Sequence, residues 1–410
     1  MQQSQRRQRS SPFFQLSSLE ETLKRFDRFA KMRADSPVYY NQQTHLWEIF
    51  DYEAANRAMT EYATFSSEAI PGFSENSFLA DTVVAKDPPD HRKLRNLVNL
   101  AFTPRAVNHL ERDISRITQE LLDEHLQAGH MDVVADIAFP LPAKVIAAML
   151  GVPDEDWDLF RRWAGAPEQR STDPVAPTSR EAVQRSQQGM EHQMYDYFSE
   201  LLAARRRAPR EDLITTLSVA EIDGERLSEG DLVKFCILLL AAGQETTKNL
   251  IANAIYCLTE YPQACERLIA SPDLMPGAIE EVLRYMPPVW FIFRRTTTAL
   301  EIGGQHLPEN AVVQVWNASA NRDPAQFPNP DQFDIQRDPN RHLTFGHGIH
   351  FCIGAPLARL EARVVLPMML EQLKHLQRKP DEQLMVRAGI VYVIQALPVT
   401  FTSSASVASV

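Results

Sequence analysis

The sequence has few cysteines and no long apolar run. Only 4 of its 410 residues are cysteine and none of them forms a CxxC pair, which argues against a disulfide framework and against a zinc site built from cysteines alone. The longest apolar run, at 235–242, is far below the ~20 residues that cross a bilayer. No apolar segment follows the polar start at 1–11, so it does not read as a signal peptide. We expect a cytoplasmic protein without a membrane anchor.

Basic clusters and repeats are lacking too. The 42 Lys and Arg residues are outnumbered by 53 Asp and Glu, which gives a formal net charge of −11. Without a dense Lys/Arg block, nucleic acid is not an expected partner. No linker, low-complexity stretch or fixed-period repeat divides the chain. We expect one domain over residues 12–402, flexible ends at 1–11 and 403–410, and a monomer.

Apolar residues recur with helical periodicity along most of the sequence. The hydrophobic share of 44% suffices for a large core. Strand-like alternation is confined to 38–50, 292–315 and 385–401. The pattern predicts a mainly α fold with a small β portion (α+β), in which small antiparallel sheets accompany a helical body. The predicted helices cover 19–32, 52–61, 88–101, 106–125, 143–150, 181–205, 276–285 and 357–375.

One further helix is longer than the others. Ser228 begins an S-x-x-D signature with Asp231, and Tyr261 followed by a proline marks the end. The roughly 32 residues between these signals span roughly 48 Å at 1.5 Å per residue. The middle of the helix, 235–243, is apolar on all sides, which is typical of a helix buried in a large core.

A potential gap lies in the middle of this helix. A helical glycine costs about 1 kcal/mol relative to alanine, so Gly243 needs a reason. Small side chains at Ala241, Ala242 and Gly243 open space, and the Thr246 hydroxyl can donate to the carbonyl of Ala242. A hydroxyl at Thr246 and a carboxylate at Glu245 suit proton delivery to a small ligand. The alternative is a kinked core helix whose Glu245 faces solvent.

The loop at 345–354 reads Phe-Gly-His-Gly-Ile-His-Phe-Cys-Ile-Gly. Its glycines permit backbone close to a cofactor, and the N–H groups of the helix predicted after Cys352 favour a thiolate and hence metal ligation. Two alternatives remain. Cys352 is a small buried hydrophobe in one, and it forms a zinc site with His347 and His350 in the other, although the usual ligand spacing is absent.

These segments together resemble one family. The loop at 345–354 resembles the haem-binding signature of the cytochrome P-450 monooxygenases, and 242–246 (Ala-Gly-Gln-Glu-Thr) resembles the oxygen-activating segment of their central helix. Residues 281–284 (Glu-Val-Leu-Arg) match the family's E-x-x-R pair. Residues 87–95, continuing into 101–105, are similar to the helix that opens the haem site in soluble bacterial members.

The resemblance implies a large single-domain haem-thiolate fold and a reaction. Haem b would be held by the thiolate of Cys352, with O2 as co-substrate, and a lipophilic fatty acid, terpenoid, steroid or macrolide would be hydroxylated or epoxidised. Glu245 and Thr246 would deliver protons. Glu281 and Arg284 would form a buried ion pair that holds the loop below the haem.

The resemblance also implies partners for the haem propionates, because unpaired buried charge is costly. These are His91, Arg95, His350 and an arginine of the strand after Pro288. Arg294 and Arg295 compete for the last role, since neighbouring strand residues point to opposite faces, and the spacing from Arg284 favours Arg294. The remaining haem contacts would be Ala242, Gly243, Phe345 and Gly354.

The resemblance places substrate contacts in an apolar lining, although each of these residues also suits an ordinary core. They are Phe73, Phe78, Leu79, Val83, Leu239, Val289, Trp290, Phe291, Ile292, Ile390 and Val391.

The chain has no nucleotide-binding fingerprint such as GxGxxG. Electrons from NAD(P)H would therefore arrive through a separate ferredoxin or flavodoxin and its reductase, which would dock on a basic patch. The patch would consist of Arg92, Lys93, Arg105, Arg341 and Arg359. Two rival functions are a peroxide-driven peroxygenase and a non-catalytic haem-binding protein. A separate expectation is that Pro367 kinks or breaks the helix after Cys352.

Overall fold

The computed structural model describes residues 15–68, 81–100, 102–165, 180–222, 224–379 and 382–403, and within 180–187 the backbone only. Helices form most of this part of the chain. They are α1 (Leu19–Leu23), α2 (Arg25–Asp35), α3 (Tyr52–Thr60), α4 (Asp90–Asn99), α5 (Pro104–His109), α6 (Glu111–Asp123), α7 (Pro140–Leu150), α8 (Trp157–Trp163), α9 (Arg180–Arg207), α10 (Leu213–Val219), α11 (Glu229–Glu260), α12 (Pro262–Ala270), α13 (Met275–Tyr285), α14 (Asn317–Ala320) and α15 (Ala355–Gln372).

The strands are short. They are β1 (Gln15–Ser18), β2 (Val38–Asn41), β3 (Leu46–Ile49), β4 (Phe65–Ser66), β5 (His130–Asp132), β6 (Glu221–Ile222), β7 (Glu225–Arg226), β8 (Ile292–Thr296), β9 (Leu300–Ile302), β10 (Gln305–Leu307), β11 (Val312–Val315), β12 (Leu373–Arg378), β13 (Met385–Ala388), β14 (Val393–Ile394) and β15 (Pro398–Ser403). The prediction of a mainly α fold with a small β portion is confirmed.

Both halves of the chain contribute to the largest sheet. Its strand order is β2-β3-β11-β8-β4. The pairing of β3 with β11 is parallel, whereas the other strand pairs of the described residues are antiparallel, as predicted for the small sheets. A second sheet, β1-β13-β14, joins residue 15 to residue 388. Between these sheets and the helices lies the apolar core.

The central helix α11 has the predicted length of 32 residues. Ser228 Oγ accepts from the Asp231 N–H at 3.1 Å and caps the first turn. The helix packs against α7, α9, α13 and α15. Because neighbours surround it, its apolar middle needs no polar face.

The run Val133–Leu150, a π-helical turn at Val133–Ala138 followed by α7, is the one helical stretch of the described residues that is long and apolar enough to cross a membrane. Two-thirds of it (67%) is buried inside the fold. That burial is what a core helix shows.

Pro367 does not end α15, which continues to Gln372. The prediction of a break is therefore wrong, because the neighbours Leu366 and Met369 are buried in the core and packing holds the helix across the missing N–H. Residues 373–375, predicted as helix, belong to β12, which pairs with β15.

Candidate active site

A cavity of about 370 Å³ lies between the middle of α11 and the loop before α15. Its wall is mainly apolar. Among the residues predicted to contact a cofactor, those in the wall are Arg95, Ala242, Gly243, Arg294, Phe345, His350, Cys352 and Gly354. One further residue, His91, is buried behind His350, with ring centroids 4.4 Å apart.

The loop that carries Cys352 is tightly folded. The N–H of Cys352 donates to the carbonyl of Phe345 at 2.8 Å and closes the loop. Gly348 has φ +73°, and a Cβ there would lie 2.8 Å from the carbonyl oxygen of Met59. Only glycine fits such a position. The loop therefore holds Cys352 in the cavity wall, three residues before α15 begins.

Burial raises the pKa of the Cys352 thiol, although the N–H groups of Gly354 and Ala355 and the charges of Arg95 and Arg359 oppose this. The N–H groups at the start of α15 do favour the thiolate, as expected, but in the protein without a bound metal desolvation outweighs them. The same N–H groups are well placed for a thiolate that a bound metal stabilises.

One end of the cavity is rich in cations. Arg294 is 7% exposed, and its Nη1 donates to the carbonyl of Phe293 at 2.8 Å. Burial lowers the pKa of Arg294 to about 10, and burial with the nearby His350 and Arg95 lowers that of His91 to about 4. Asp87 is the one carboxylate at this end among the groups that perturb these side chains, with its Oδ1 3.9 Å from Nε2 of His350.

Two buried ring nitrogens at this end, Nε2 of His91 and Nε2 of His350, have no hydrogen-bond partner in the described structure. Unpaired buried donors and cations call for an anionic group. A haem fits these residues, since its propionates would meet the cations while Cys352 meets the iron.

The structure separates the two competing arginines. Arg294 lines the cavity. Arg295 points away from it and donates to Oδ1 of Asn310 at 2.5 Å and to the carbonyl of Glu68 at 3.3 Å. The alternation of strand β8 produces this difference.

The predicted gap is present on α11. The Thr246 hydroxyl donates to the carbonyl of Ala242 at 2.7 Å, and Thr246 lines the cavity. A Cβ on Gly243 would come within 2.7 Å of Ile146 Cδ1. Glu245, by contrast, is not part of the cavity wall, and its carboxylate forms an ion pair with Arg387. The sequence gives no signal for this partner.

A buried ion pair joins Glu281 to Arg284, and neither side chain is exposed. Arg284 also donates to the carbonyls of Asn321, Pro330 and Gln332 at 3.0, 2.7 and 3.1 Å. The pair thus holds the segment that leads into the Cys352 loop rather than the loop itself.

Five of the predicted substrate contacts line the cavity: Val83, Leu239, Val289, Ile292 and Ile390. Trp290, Phe291 and Val391 do not. Trp290 stacks on Tyr392 at 4.9 Å and Phe291 packs against Trp316 at 4.8 Å, so both side chains belong to the core. Val391 forms a β-bridge with Val289. Phe73, Phe78 and Leu79 lie outside the described residues.

Further wall residues were not predicted. Phe235 and Leu238 share a face of α11 with Leu239. Their i, i+3, i+4 spacing could have predicted from the sequence that all three line the cavity. Glu361 of α15 also lines the cavity while only 1% exposed, and burial raises its pKa to about 8. No local sequence pattern predicts that Glu361 lines the cavity.

The zinc alternative finds no support among the described residues, which contain no cluster of three or more metal-binding side chains. Nδ1 of His347 instead contacts Oδ1 of Asn56.

Comparison with known proteins gives a consistent result. The model of the family "Cytochrome P-450" matches residues 164–400. Cytochrome P-450 109 of Bacillus spizizenii is 40% identical over 95% of this chain and 95% of its own length. The cyclomarin C epoxidase CymV of Salinispora arenicola is 39% identical over 84% of this chain and 88% of its own.

Solved structures agree. CYP109E1 from Bacillus megaterium in complex with testosterone superposes with a TM-score of 0.84 at 35% identity, covering 92% of this chain and 99% of that one. The chain belongs to the cytochrome P-450 family, the haem-thiolate monooxygenases that use O2 on lipophilic substrates.

Proposed function

We propose that this monooxygenase holds haem b through Cys352 and hydroxylates or epoxidises a lipophilic molecule of steroid size. The observation that carries the proposal is one apolar cavity with a thiol on one wall, the Thr246 hydroxyl on the other and a cation-rich end. When bound, a haem with a thiolate ligand favours O–O cleavage.

The cations position the cofactor. Arg95, Arg294 and His350 line this end of the cavity and would bind the propionates, with His91 behind His350. Pairing removes the cost of leaving these groups buried and unsatisfied. A bound haem would therefore satisfy the buried groups at this end of the cavity, and the same groups would hold the haem in place.

Thr246 and Glu245 move protons. The Thr246 hydroxyl donates its one hydrogen to the Ala242 carbonyl, which leaves its oxygen free to accept a hydrogen bond from a water in the cavity and to hold that water in place as a proton donor. Glu245 is about one-third exposed, at 30%, and exchanges protons with solvent. Together they bring protons to the O2 site while the apolar wall excludes other water.

The substrate class is inferred from the wall. Phe235, Leu238, Leu239 and Ile390 offer apolar surface without a charged anchor, which suits a molecule recognised by shape. The testosterone complex of CYP109E1 supports a steroid as the first probe. Fatty acids, terpenoids and macrolides follow as test compounds.

The test is the absorbance difference spectrum of the purified, dithionite-reduced protein on adding carbon monoxide. We expect a Soret band shifted strongly to the red of histidine-ligated haem, and its loss in Cys352→Ala. Testosterone should then shift the ferric spin state. A protein that takes up no haem during haem-supplemented expression would contradict the proposal.

Electrons from NAD(P)H reach this chain through a ferredoxin or flavodoxin and its reductase. Two residues of the predicted basic patch already have acidic partners: Lys93 pairs with Glu225 at 2.6 Å, and Arg359 pairs with Glu280 at 2.7 Å. The docking charge therefore rests on the three exposed residues Arg92, Arg105 and Arg341. Helix α5, which carries Arg105, packs against α15, the helix that begins three residues after Cys352.

Charge reversal tests this docking. The double variant Arg92→Glu/Arg105→Glu should slow reduction by a surrogate ferredoxin and weaken its dependence on salt. The control Arg210→Glu reverses an exposed charge between α9 and α10. Equal reduction rates in the variant and the control would contradict the assignment of Arg92 and Arg105 to the docking surface.

We also infer that residues 12–402 act as a single catalytic domain and that the protein is a cytoplasmic monomer. The assignment rests on the absence of a linker in the sequence and on a core shared by N- and C-terminal strands. Sedimentation of the purified protein and fractionation of the native host test it, and a dimer mass or a membrane-bound pool would contradict it.

A further inference from the structure

The carboxylate of Glu245 has a specific partner. Its Oε1 accepts a hydrogen bond from Nη2 of Arg387 in a close ion pair, with the two side chains 30% and 32% exposed. The adjacent Thr246 lies in the cavity wall, whereas Glu245 does not. The pair is therefore partly open to solvent and lies next to Thr246 in the chain, outside the cavity wall.

The backbone places Arg387 firmly. It lies on β13, the middle strand of its sheet, opposite Leu16 on one side and Val393 on the other. The tip of the β13–β14 hairpin carries Ile390, which lines the cavity and accepts from the Trp290 N–H at 2.9 Å. One hairpin thus supplies both part of the substrate wall and the partner of Glu245.

Stability does not explain the pair. Exposed ion pairs contribute only about 0.2–1 kcal/mol, and ordering two long side chains costs entropy. A guanidinium also keeps its proton in proteins, so Arg387 cannot itself be the acid. What it can do is restrict the rotamers of Glu245.

We propose that Arg387 is a positioning residue that holds the Glu245 carboxylate at the solvent end of the proton route to Thr246. This proposal rests on the proposed function. Without the guanidinium, Glu245 samples other rotamers, protons arrive less often, and O2 leaves as hydrogen peroxide after two electrons and two protons. The hairpin links this route to the wall that substrate touches.

The chain offers a matched control. Arg378 of β12 pairs with Glu260 at the last turn of α11 at 3.1 Å, with side chains 27% and 36% exposed. Like Arg387, Arg378 lies on a strand and pairs with a glutamate of α11. This second pair, however, lies at the end of the helix and outside the cavity wall. Any effect of losing an exposed pair should appear equally in Arg378→Gln.

The experiment uses the haem-loaded enzyme with testosterone, NADPH, a surrogate ferredoxin and its reductase. Arg387→Gln should lower kcat several-fold, leave KM within about twofold, and raise the share of electrons recovered as peroxide. Arg387→Lys should recover part of the loss, since an ammonium still binds the carboxylate. Glu245→Gln should resemble Arg387→Gln, and combining the two should add little further loss.

A second readout needs no turnover. The Tm values of Glu245→Gln, Arg387→Gln and the double variant form a cycle, and a non-additive shift establishes that the pair exists in solution. Additive shifts, or equal peroxide release from Arg387→Gln and Arg378→Gln, would overturn the proposal. A wild-type enzyme without the carbon monoxide band would instead overturn the proposed function, and the cycle would still report on the pair.

Discussion

Glu281 and Arg284 lie one turn apart on α13 and are joined by two hydrogen bonds of 2.7 and 2.8 Å, with no exposed surface on either side chain. The same carboxylate also accepts from the Asp334 N–H at 2.8 Å and contacts Nε of Arg337 at 3.2 Å. One acidic group therefore satisfies two cations and a backbone donor at the entrance to the Cys352 loop.

Glu281→Gln should destabilise the protein by roughly 3–5 kcal/mol, because it leaves Arg284 buried and uncompensated. Urea unfolding followed by tryptophan fluorescence measures the loss. Glu20→Gln is the control, since that residue pairs with Lys24 at the surface, 79% and 65% exposed. Equal unfolding midpoints for the two variants would contradict a structural role for the buried pair.

Arg294→Gln should weaken haem retention, whereas Arg295→Gln should leave it near the wild-type level. The reason is that Arg294 lines the cavity while Arg295 bonds to Asn310 outside it. Haem transfer to apomyoglobin provides the rate of loss. If both variants lost haem at the same rate, the assignment of Arg294 to a propionate would fail.

Thr246→Ala should cut product formation at least about tenfold, within the contribution expected of a positioned proton donor, and increase peroxide release. Thr259→Ala is its control: Thr259 donates to the carbonyl of Tyr256 at 2.8 Å on the same helix, away from the cavity. A peroxygenase would not need the hydroxyl. A wild-type enzyme that forms product with hydrogen peroxide but not with NADPH and the surrogate redox partners would favour that rival.

Glu361→Gln should stabilise the protein increasingly as pH rises from about 5 to 8. Burial raises the folded-state pKa of Glu361 to about 8, whereas the unfolded chain releases this proton near an ordinary carboxyl pKa. Between these values the folded state binds the extra proton, so wild-type stability falls by up to about 1.4 kcal/mol per pH unit. The variant lacks this slope.

Urea midpoints at three pH values test this, with the exposed Glu371→Gln of the same helix as control. Parallel pH profiles for Glu361→Gln and wild type would show that Glu361 ionises normally in the folded protein.

Local signals in the sequence predicted the parts of the site that depend on local structure. Caps at Ser228 and Tyr261 gave the bounds of α11, and glycine spacing gave the Cys352 loop. The back-bond of Thr246 to Ala242 followed from helix geometry alone. Each of these depends on neighbours within four or five residues.

Features that depend on distant segments were not predictable. Arg387 reaches Glu245 only because the β13–β14 hairpin lies against α11, with β14 in contact with the helix, and nothing near either residue signals it. Trp290 and Phe291 were assigned to the cavity because the stretch is apolar, but only the register of the chain decides which side chains face inwards. The contribution of the helix N-terminus to the pKa of Cys352 has the predicted direction, but the larger opposing effect of burial is a tertiary property that no local pattern signals.

The pairing of β1 with β13 has a consequence for synthesis. Residue 15 cannot find its partner at residue 388 until almost the entire chain has left the ribosome. Such non-local contacts form late because a large loop must close first. The sheet that holds Arg387 is therefore among the last parts to assemble, and a ribosome-stalled chain that ends just before β13 would contain all of α11 but no Arg387 to pair with Glu245.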